Sequence, residues 1–492
     1  MSIGFDDIPG TLRVPVAAVE FNSTRAVSGT PDAPFKLMVI GQRLSATATV
    51  AAGVPTRIMS PDQAESAFGR GSMLAEMFRY LKAANKMVET WAIGLDDLLA
   101  GVKATGKISF TGPATKPGVL ALYIAGQKIS VGVSAADTAT QVATAAIAAI
   151  NANTRIPVVA AVDGTNAYEV NLTCRWKGVT GNDVDVRINY YPDDATPVGL
   201  AVAITAMASG AGNPDVTTAL TALGDEWWNG FVMPYTDSTN LTAFEEELDV
   251  RFGPLRALDG VAFTGFRGTH SATGTFGDGR NSKLFSVMGS NLSPTPPWLW
   301  AAVNGVVAMA SLNMDPLRPL QTLVLPGLLP PSIGQRWTLE ERNLLLYSGI
   351  STFMVDAGGR VLIERQITTY QQNGLGVADT AYLNVNTVYW LSYIRHAMSN
   401  RIRLRFPRMK LANDDARFGA GQPIVTPKIV RMELLALGRE FEDRGLLEDF
   451  EQYKADLIVE RDSNNPDRLN VLMAPNEVNG LIVFAAQVQF IN

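Results

Sequence analysis

The sequence predicts a multidomain α+β chain: an α/β core sheet, a β-rich domain inserted into it, a C-terminal α/β unit, and extended N- and C-terminal arms. Three observations carry this. Strand-like and helix-like runs alternate through residues 35–93 and again from 216 onward, the pattern of an α/β layer. That alternation stops at Gly101, gives way to short β-rich runs, and resumes after Ser209-Gly210-Ala211-Gly212-Asn213-Pro214. At 492 residues the chain is too long for one core, so about two to four domains are expected. The predicted boundaries are an arm over 1–30, a discontinuous core over 31–102 and 209–420, an inserted β domain over 103–208, a C-terminal unit over 421–475 and a strand arm over 476–492.

Pro9 and Pro15 bar a helix from the first segment. Val14, Val16 and Ala18 fall on one side of a weak alternation, so this segment reads as extended. Phe35–Ile40 is a buried-type strand. Ser60-Pro61 supplies a cap and a first-turn proline for a helix over 62–68. Ser72 opens a second helix, 73–84, with Leu74, Met77, Phe78 and Leu81 on one stripe, and a strand over 87–93 follows. Within the insertion, strands are predicted over 107–111, 119–124, 128–133, 158–162, 168–174 and 184–190. Asp137 or Thr138 caps an alanine-rich helix there, over 138–151. The core resumes with helices over 216–223 and 241–252 and strands over 231–234, 261–266 and 283–288. A long apolar helix begins at Trp298. Residues 265–282 read as a Gly/Thr/Ser-rich loop holding His270.

A helix over 339–347 leads into the stretch around which the chain is organised, Ser351–Asn373. Two β-rich runs, 351–355 and 360–370, flank Asp356-Ala357-Gly358-Gly359, where glycine allows the positive φ of a tight hairpin. Asp379 then caps a helix whose inward positions Leu383, Thr387, Leu391, Ile394, Met398 and Ile402 recur every three or four residues. Thr426-Pro427 starts another, and Gly445 stops it. Strands over 457–460, 469–473 and 481–490 complete the chain.

The order of short motifs around that hairpin is more specific than any one of them. Glu341-Arg342-Asn343-Leu344-Leu345, Gly349-Ile350-Ser351-Thr352, Glu364-Arg365 and Thr368-Thr369-Tyr370-Gln371 stand in sequence. Before them come Phe5-Asp6-Asp7-Ile8-Pro9, Arg13-Val14-Pro15, Phe68-Gly69-Arg70-Gly71-Ser72 and Asp315-Pro316-Leu317-Arg318-Pro319-Leu320, and Val425-Thr426-Pro427 follows. In this the chain resembles, over nearly its whole length, the tail sheath protein of Mu-like contractile-tailed bacteriophages. The resemblance implies a structural subunit of hexameric discs, stacked helically around a tail tube, that shorten to drive the tube through a cell envelope. Its implied partners are further copies of itself, the tail tube protein, and baseplate and tail terminator proteins. Its implied location is the virion tail, after assembly in the host cytoplasm. The resemblance also implies that the C-proximal units sit innermost and that the inserted domain projects outward.

Composition agrees with a chain that buries surface in an assembly: hydrophobic residues make up 47% and charged residues only 18%, although a large enzyme is equally compatible. Net charge is −6, so nothing global favours nucleic acid. Cys174 is the only cysteine, which excludes an internal disulfide and a thiolate zinc site. His270 and His396 are the only histidines. The opening MSIGFDDIPG lacks the basic and apolar regions of a signal peptide, and the most apolar run, 298–312, is shorter than the ~20 residues of a membrane span. No membrane insertion is expected.

Gly69-Arg70-Gly71-Ser72 has Leu74 where a dinucleotide fingerprint needs glycine, and Gly112–Pro117 lacks the Gly-Lys-Ser/Thr core of a P-loop. No nucleophile–base pair can be named, so no catalytic residue, cofactor or metal is expected. Two other functions remain open: a different structural subunit of a tail or contractile machine, and an α/β enzyme using the 265–282 loop.

Two surfaces are candidates for assembly. Arg395, Arg401, Arg403, Arg405, Arg408 and Lys410 form a basic run with no acid inside it. A solvated helix end, a surface for an acidic tube and a nucleic-acid contact are its three readings, and the resemblance favours the tube. In the last run Phe484, Ala486, Val488 and Phe490 share one face opposite Gln487 and Gln489. A strand this apolar needs pairing, within its subunit or with a neighbour. The second extended arm at the N-terminus and the strand exchange of the resembled family both favour a neighbour.

Overall fold

The structure is a computed structural model that describes residues 14, 15, 19, 34–419 and 421–491. Most of the predicted N-terminal arm, including Val16 and Ala18, lies outside these residues. The described residues contain eleven α-helices and several sheets, a mixed α and β architecture. They divide into two compact units, 34–393 with 479–491, and 394–478.

The larger unit is organised on an eight-stranded sheet. In spatial order its strands are Val361–Arg365, Ile350–Val355, Phe285–Gly289, Val261–Phe266, Gly230–Val232, Lys36–Gln42, Glu89–Leu95 and Thr56–Arg57. Neighbours are parallel except at the two edges, where 361–365 and 56–57 run antiparallel. Consecutive residues Leu37, Met38, Val39 and Ile40 are all fully buried, so both faces of the sheet are covered, as a parallel sheet requires. Helix Pro297–Met314 is buried on nearly every side, the reason its sequence is apolar all round. Gly305 lets it approach the sheet: a Cβ there would lie 3.2 Å from Val232 and 3.4 Å from Phe263.

The chain leaves this sheet after Leu95 and rejoins it past Ala211. Val102 N–H donates to Ala211 O (2.8 Å) and Ala211 N–H to Val102 O (3.1 Å), closing the neck of the excursion. Between them lie an antiparallel four-stranded sheet, in the order Ala201–Ala208, Lys103–Thr111, Glu169–Lys177 and Val158–Val162, and a three-stranded one, Gln127–Val133, Gly118–Ile124 and Val186–Ile188. Helix Ala139–Ala152 packs with them and opens on a Thr138–Gln141 capping box.

These β-sheets are seated firmly on the helices of the core. Trp176 packs edge-on against Trp298, ring centroids 5.6 Å apart, and both are fully buried. Glu65 of helix Pro61–Phe68 accepts from Arg155 Nε at 2.5 Å and from Arg70 Nε at 2.7 Å. Burial opposes that carboxylate's charge, but the two guanidinium groups outweigh it and hold the pKa below its ordinary value. Arg267 reaches Asp185 at 2.9 Å, and Tyr190 Oη donates to Pro330 O at 2.8 Å. Glu76 of helix Met73–Ala84 is buried in the seam. It accepts from Gln127 Nε2 (2.9 Å) and Trp298 Nε1 (3.2 Å), and burial raises its pKa to about 7.

The smaller unit is built on helix Pro427–Asp443, whose Leu434, Leu437 and Phe441 are buried with Phe450 and Tyr453 of the following segment. Gly438 is required there, because a Cβ would overlap the Tyr453 ring. Strands Ile458–Arg461 and Leu469–Leu472 form a two-stranded hairpin, and Leu447–Glu448 pairs antiparallel with Asn476–Glu477.

Three of the local expectations that differ from the structure concern strands and loops. The 265–282 segment is not an open loop: Thr269 caps a helix over His270–Asp278 by accepting from Ala272 N. The second hairpin strand ends at Arg365 rather than Tyr370. Past it the chain is held by side chains, with Ser351 Oγ taking Ile367 N–H (3.0 Å) and Thr369 Oγ1 taking Ser282 N–H (3.0 Å). Among the described residues, 481–490 have no ladder partner and form no strand.

Candidate assembly surfaces

The motifs around the hairpin turn out to close the sheet edge. Asp356 accepts from Arg360 N (2.8 Å) and Arg360 Nε (2.7 Å), and Gly359 takes φ +79°. These contacts fix the turn that sequence placed at Asp356–Gly359. Glu341 completes a capping box with Thr338, while Arg342 reaches Glu364 at 2.8 Å and Trp337 O at 2.8 Å. Gln371 Nε2 donates to Gly277 O and Arg280 O, both at 3.0 Å, so Thr368–Gln371 is tied to the helix of 270–278. Asp379 does not cap a helix. It accepts from Tyr370 Oη at 2.6 Å, and the helix begins at Val385. His270 Nε2 lies 2.9 Å from Glu341 O, and His396 Nε2 lies 2.8 Å from Asn400 Nδ2. Among the described residues no cluster of His, Cys, Asp or Glu could hold a metal ion, and no helix is long and apolar enough to cross a membrane.

The basic run falls at the end of helix Val385–Arg405 and the turn beyond it, and the structure separates its members. Arg401 is only 8% exposed. Its guanidinium bonds Glu433 Oε1 at 2.9 Å and also Glu440. Burial works against the charge on Arg401, and the two carboxylates more than compensate, holding its pKa above the ordinary value. Its role is to fasten the helix end to helix Pro427–Asp443. Nothing in the run itself signals partners 32 and 39 residues away. Arg405 is half-exposed, with Nε 3.2 Å from Glu433. Arg403, Arg408 and Lys410 are exposed, and Arg395 is half-buried. Lys410–Leu411 pairs parallel with Ile424–Val425, and Arg408 takes φ +57° in the turn before it, so the exposed cations stand on fixed backbone.

The C-terminal segment is an open apolar surface. Leu481, Val483, Phe484, Val488, Phe490 and Ile491 are each more than two-thirds exposed, and Ala486 is exposed with them. Gln321 Nε2 donates to Leu481 O at 3.0 Å, holding the root of the segment. Val14, the one described member of the N-terminal candidates, is also exposed. In the smaller unit, the hairpin of 458–461 and 469–472 has no further strand on either side among the described residues, and Ile458, Val471 and Leu472 are exposed on it.

The chain is 48% identical over 491 residues, 100% of both chains, to the Mu-like prophage FluMu tail sheath protein of Haemophilus influenzae. This chain belongs to the phage tail sheath protein family. Residues 209–369 match the family model of the phage tail sheath protein central domain, and 377–491 that of the phage tail sheath C-terminal domain. Among solved structures it is similar to a sheath tail protein from Desulfitobacterium hafniense (12% identity, 94% of this chain and 100% of that one, TM-score 0.48). Another is from Listeria innocua (14% identity, 91% and 93%, TM-score 0.47). Sheath proteins are structural components of the phage tail and not enzymes. The enzymatic reading of residues 265–282 is therefore set aside.

Proposed function

We propose that this sheath protein assembles as hexameric discs stacked helically around a tail tube, and that the resulting cylinder shortens to drive the tube through a host envelope. Neighbouring copies are joined by strand addition, the cylinder is bounded by baseplate and tail terminator proteins, and assembly takes place in the host cytoplasm. The observation that carries this reading is the exposed C-terminal segment. An isolated subunit would hold an apolar segment of this length in water at an unfavourable cost, about 1.5–3 kcal/mol for each large side chain left uncovered. Fully extended, residues 479–491 reach about 40 Å, enough to arrive at a neighbour. The hairpin of 458–472 is a fitting acceptor. A two-stranded hairpin is marginal alone, and its open edges offer backbone groups while exposed Ile458 and Leu472 offer apolar contact.

In this reading the inserted domain of 103–208 faces outward and the C-proximal units face the tube. The tube-facing cations are Arg403, Arg405, Arg408 and Lys410, with Arg395 beside them, while Arg401 positions the helix end that presents them. Removing residues 478–492 tests the reading. The expected product is a folded, soluble subunit that forms no cylinders by size-exclusion chromatography and microscopy. Normal cylinders from the truncated protein would refute strand exchange at this end.

A further inference from the structure

The fold uses most of the side chains around the hairpin but leaves Arg365 short of partners. Arg365 ends strand Val361–Arg365 and is half-buried, and its one bond among the described residues runs from Nη2 to Asn384 Oδ1 at 3.2 Å. A guanidinium carries five N–H groups in a planar fork, so most of the fork is unfilled. No carboxylate among the described residues forms an ion pair with it, and burial alone pushes its pKa below the ordinary arginine value. Arg365 lines a hollow of about 670 Å³, together with Asn343 of helix Leu339–Tyr347, whose side chain makes no hydrogen bond among the described residues. The one acid lining the hollow is already engaged: Asp379 accepts from Tyr370 Oη at 2.6 Å and from Ala381 N–H at 3.0 Å. The rim is apolar and open. Tyr347 is 78% exposed, and exposed Leu375 and Val377 stand on the turn that joins Gln372 to Ala378, two lining residues paired across an isolated bridge.

We propose that this hollow receives an acidic side chain of a second copy of the chain, with Tyr347 and the turn of 373–377 making apolar contact around it. Charge complementarity selects the acid. A half-buried guanidinium without a counter-ion is unfavourable, and a carboxylate matches its fork with two parallel hydrogen bonds. Asn343 offers a further donor beside it. Arginine and tyrosine next to open apolar side chains are the residue types that interface centres favour. A second copy brings acids in excess, since the chain carries 47 acidic residues against 41 Lys and Arg. That the partner is a second copy rests on the sheath assembly proposed above, but the contact is separate from strand exchange by residues 479–491.

The test uses the full-length chain with Arg365→Met and, separately, Tyr347→Ser. Each change should raise the protein concentration at which cylinders first sediment by about tenfold or more. Neither should lower the thermal midpoint of the unassembled subunit by more than about 2 °C, because burial opposes the Arg365 charge and Tyr347 stands in water. With the photo-crosslinker p-benzoylphenylalanine in place of Tyr347, light should join two copies, and the captured peptide should carry an Asp or a Glu. Changing that acid to Arg should restore polymerisation to Arg365→Glu.

Polymerisation of both variants at the parent's concentration would overturn the proposal. So would midpoints that fall in step with assembly, the mark of a contact within the fold. Cross-links confined to one subunit, or made to the tube protein when tubes are present, would remove the second copy as occupant. Saturable stabilisation of the unassembled parent by acetate, absent in Arg365→Met, would reassign the hollow to a free carboxylate. A parent that polymerises without the cross-link sinks this contact alone, whereas a parent that neither polymerises nor cross-links sinks the sheath assembly with it.

Discussion

Replacing Glu76 by Gln should stabilise the subunit in alkali and change little in acid. The carboxylate sits where helix Met73–Ala84, the Gln127 hairpin and Trp298 meet, with Arg79 Nη2 3.7 Å away as the nearest cation. Burial raises its pKa from 4.5 to about 7. The folded state therefore holds the proton more tightly than the unfolded state does. Stability associated with this group is fully present below pH ~4.5 and is lost as pH rises through ~7. A rise of that size corresponds to about 3 kcal/mol between pH 4.5 and pH 8. Glutamine carries no charge at either pH and still accepts from Trp298, while Gln127 can turn its amide to offer an oxygen. The Glu76→Gln subunit should match the parent at pH 5 and exceed it by about 2–3 kcal/mol at pH 8. Urea unfolding of the larger unit at both pH values, followed by tryptophan fluorescence, measures this. An unchanged difference between pH 5 and pH 8 in the variant would refute the assignment of that dependence to Glu76.

Other outcomes follow from the same contacts. Joining Ala100 to Gly212 to delete the insertion should yield poorly soluble protein, because it uncovers Trp298 and Glu76. Adding Trp298→Gln and Glu76→Gln should recover solubility, read as the soluble fraction on expression. Arg401→Ala should destabilise the smaller unit by about 1–3 kcal/mol in thermal unfolding, less than a wholly buried pair because Glu433 and Glu440 keep some access to water. Changing Arg403, Arg408 and Lys410 to Glu should leave that stability within about 0.5 kcal/mol and weaken co-sedimentation with tubes, and binding by the parent should fall with salt. Gly438→Ala should cost about 1–3 kcal/mol by forcing Tyr453 aside, again read by thermal unfolding.

What the sequence made legible was local. The tight turn at Asp356–Gly359, the capped starts at Ser60 and Ser72, and the buried helix after Trp298 each rest on residues close together in the chain. Pairings between distant residues were hidden. Arg401 reads as one cation among six until Glu433 and Glu440 are brought against it by a second helix. Nothing near Glu65 or Glu76 in the chain marks that one is clamped by Arg155 and that the other is buried while accepting from Trp298 and Gln127. The 481–490 run has a strand's alternation but forms no strand, because a ladder needs a partner and no strand of the described residues pairs with it. The glycine-rich 265–282 segment misled in the opposite direction. Thr269 caps a helix there, and Gly277 is held against Ser348 and Ile350, where a Cβ would not fit.

Cryo-electron microscopy of the purified, polymerised protein tests the central claim most directly. The account predicts hollow six-fold cylinders in which residues 479–491 of one copy lie as a strand along the 458–472 hairpin of another. Discrete particles that never polymerise, or cylinders in which that segment pairs only within its own subunit, would contradict it.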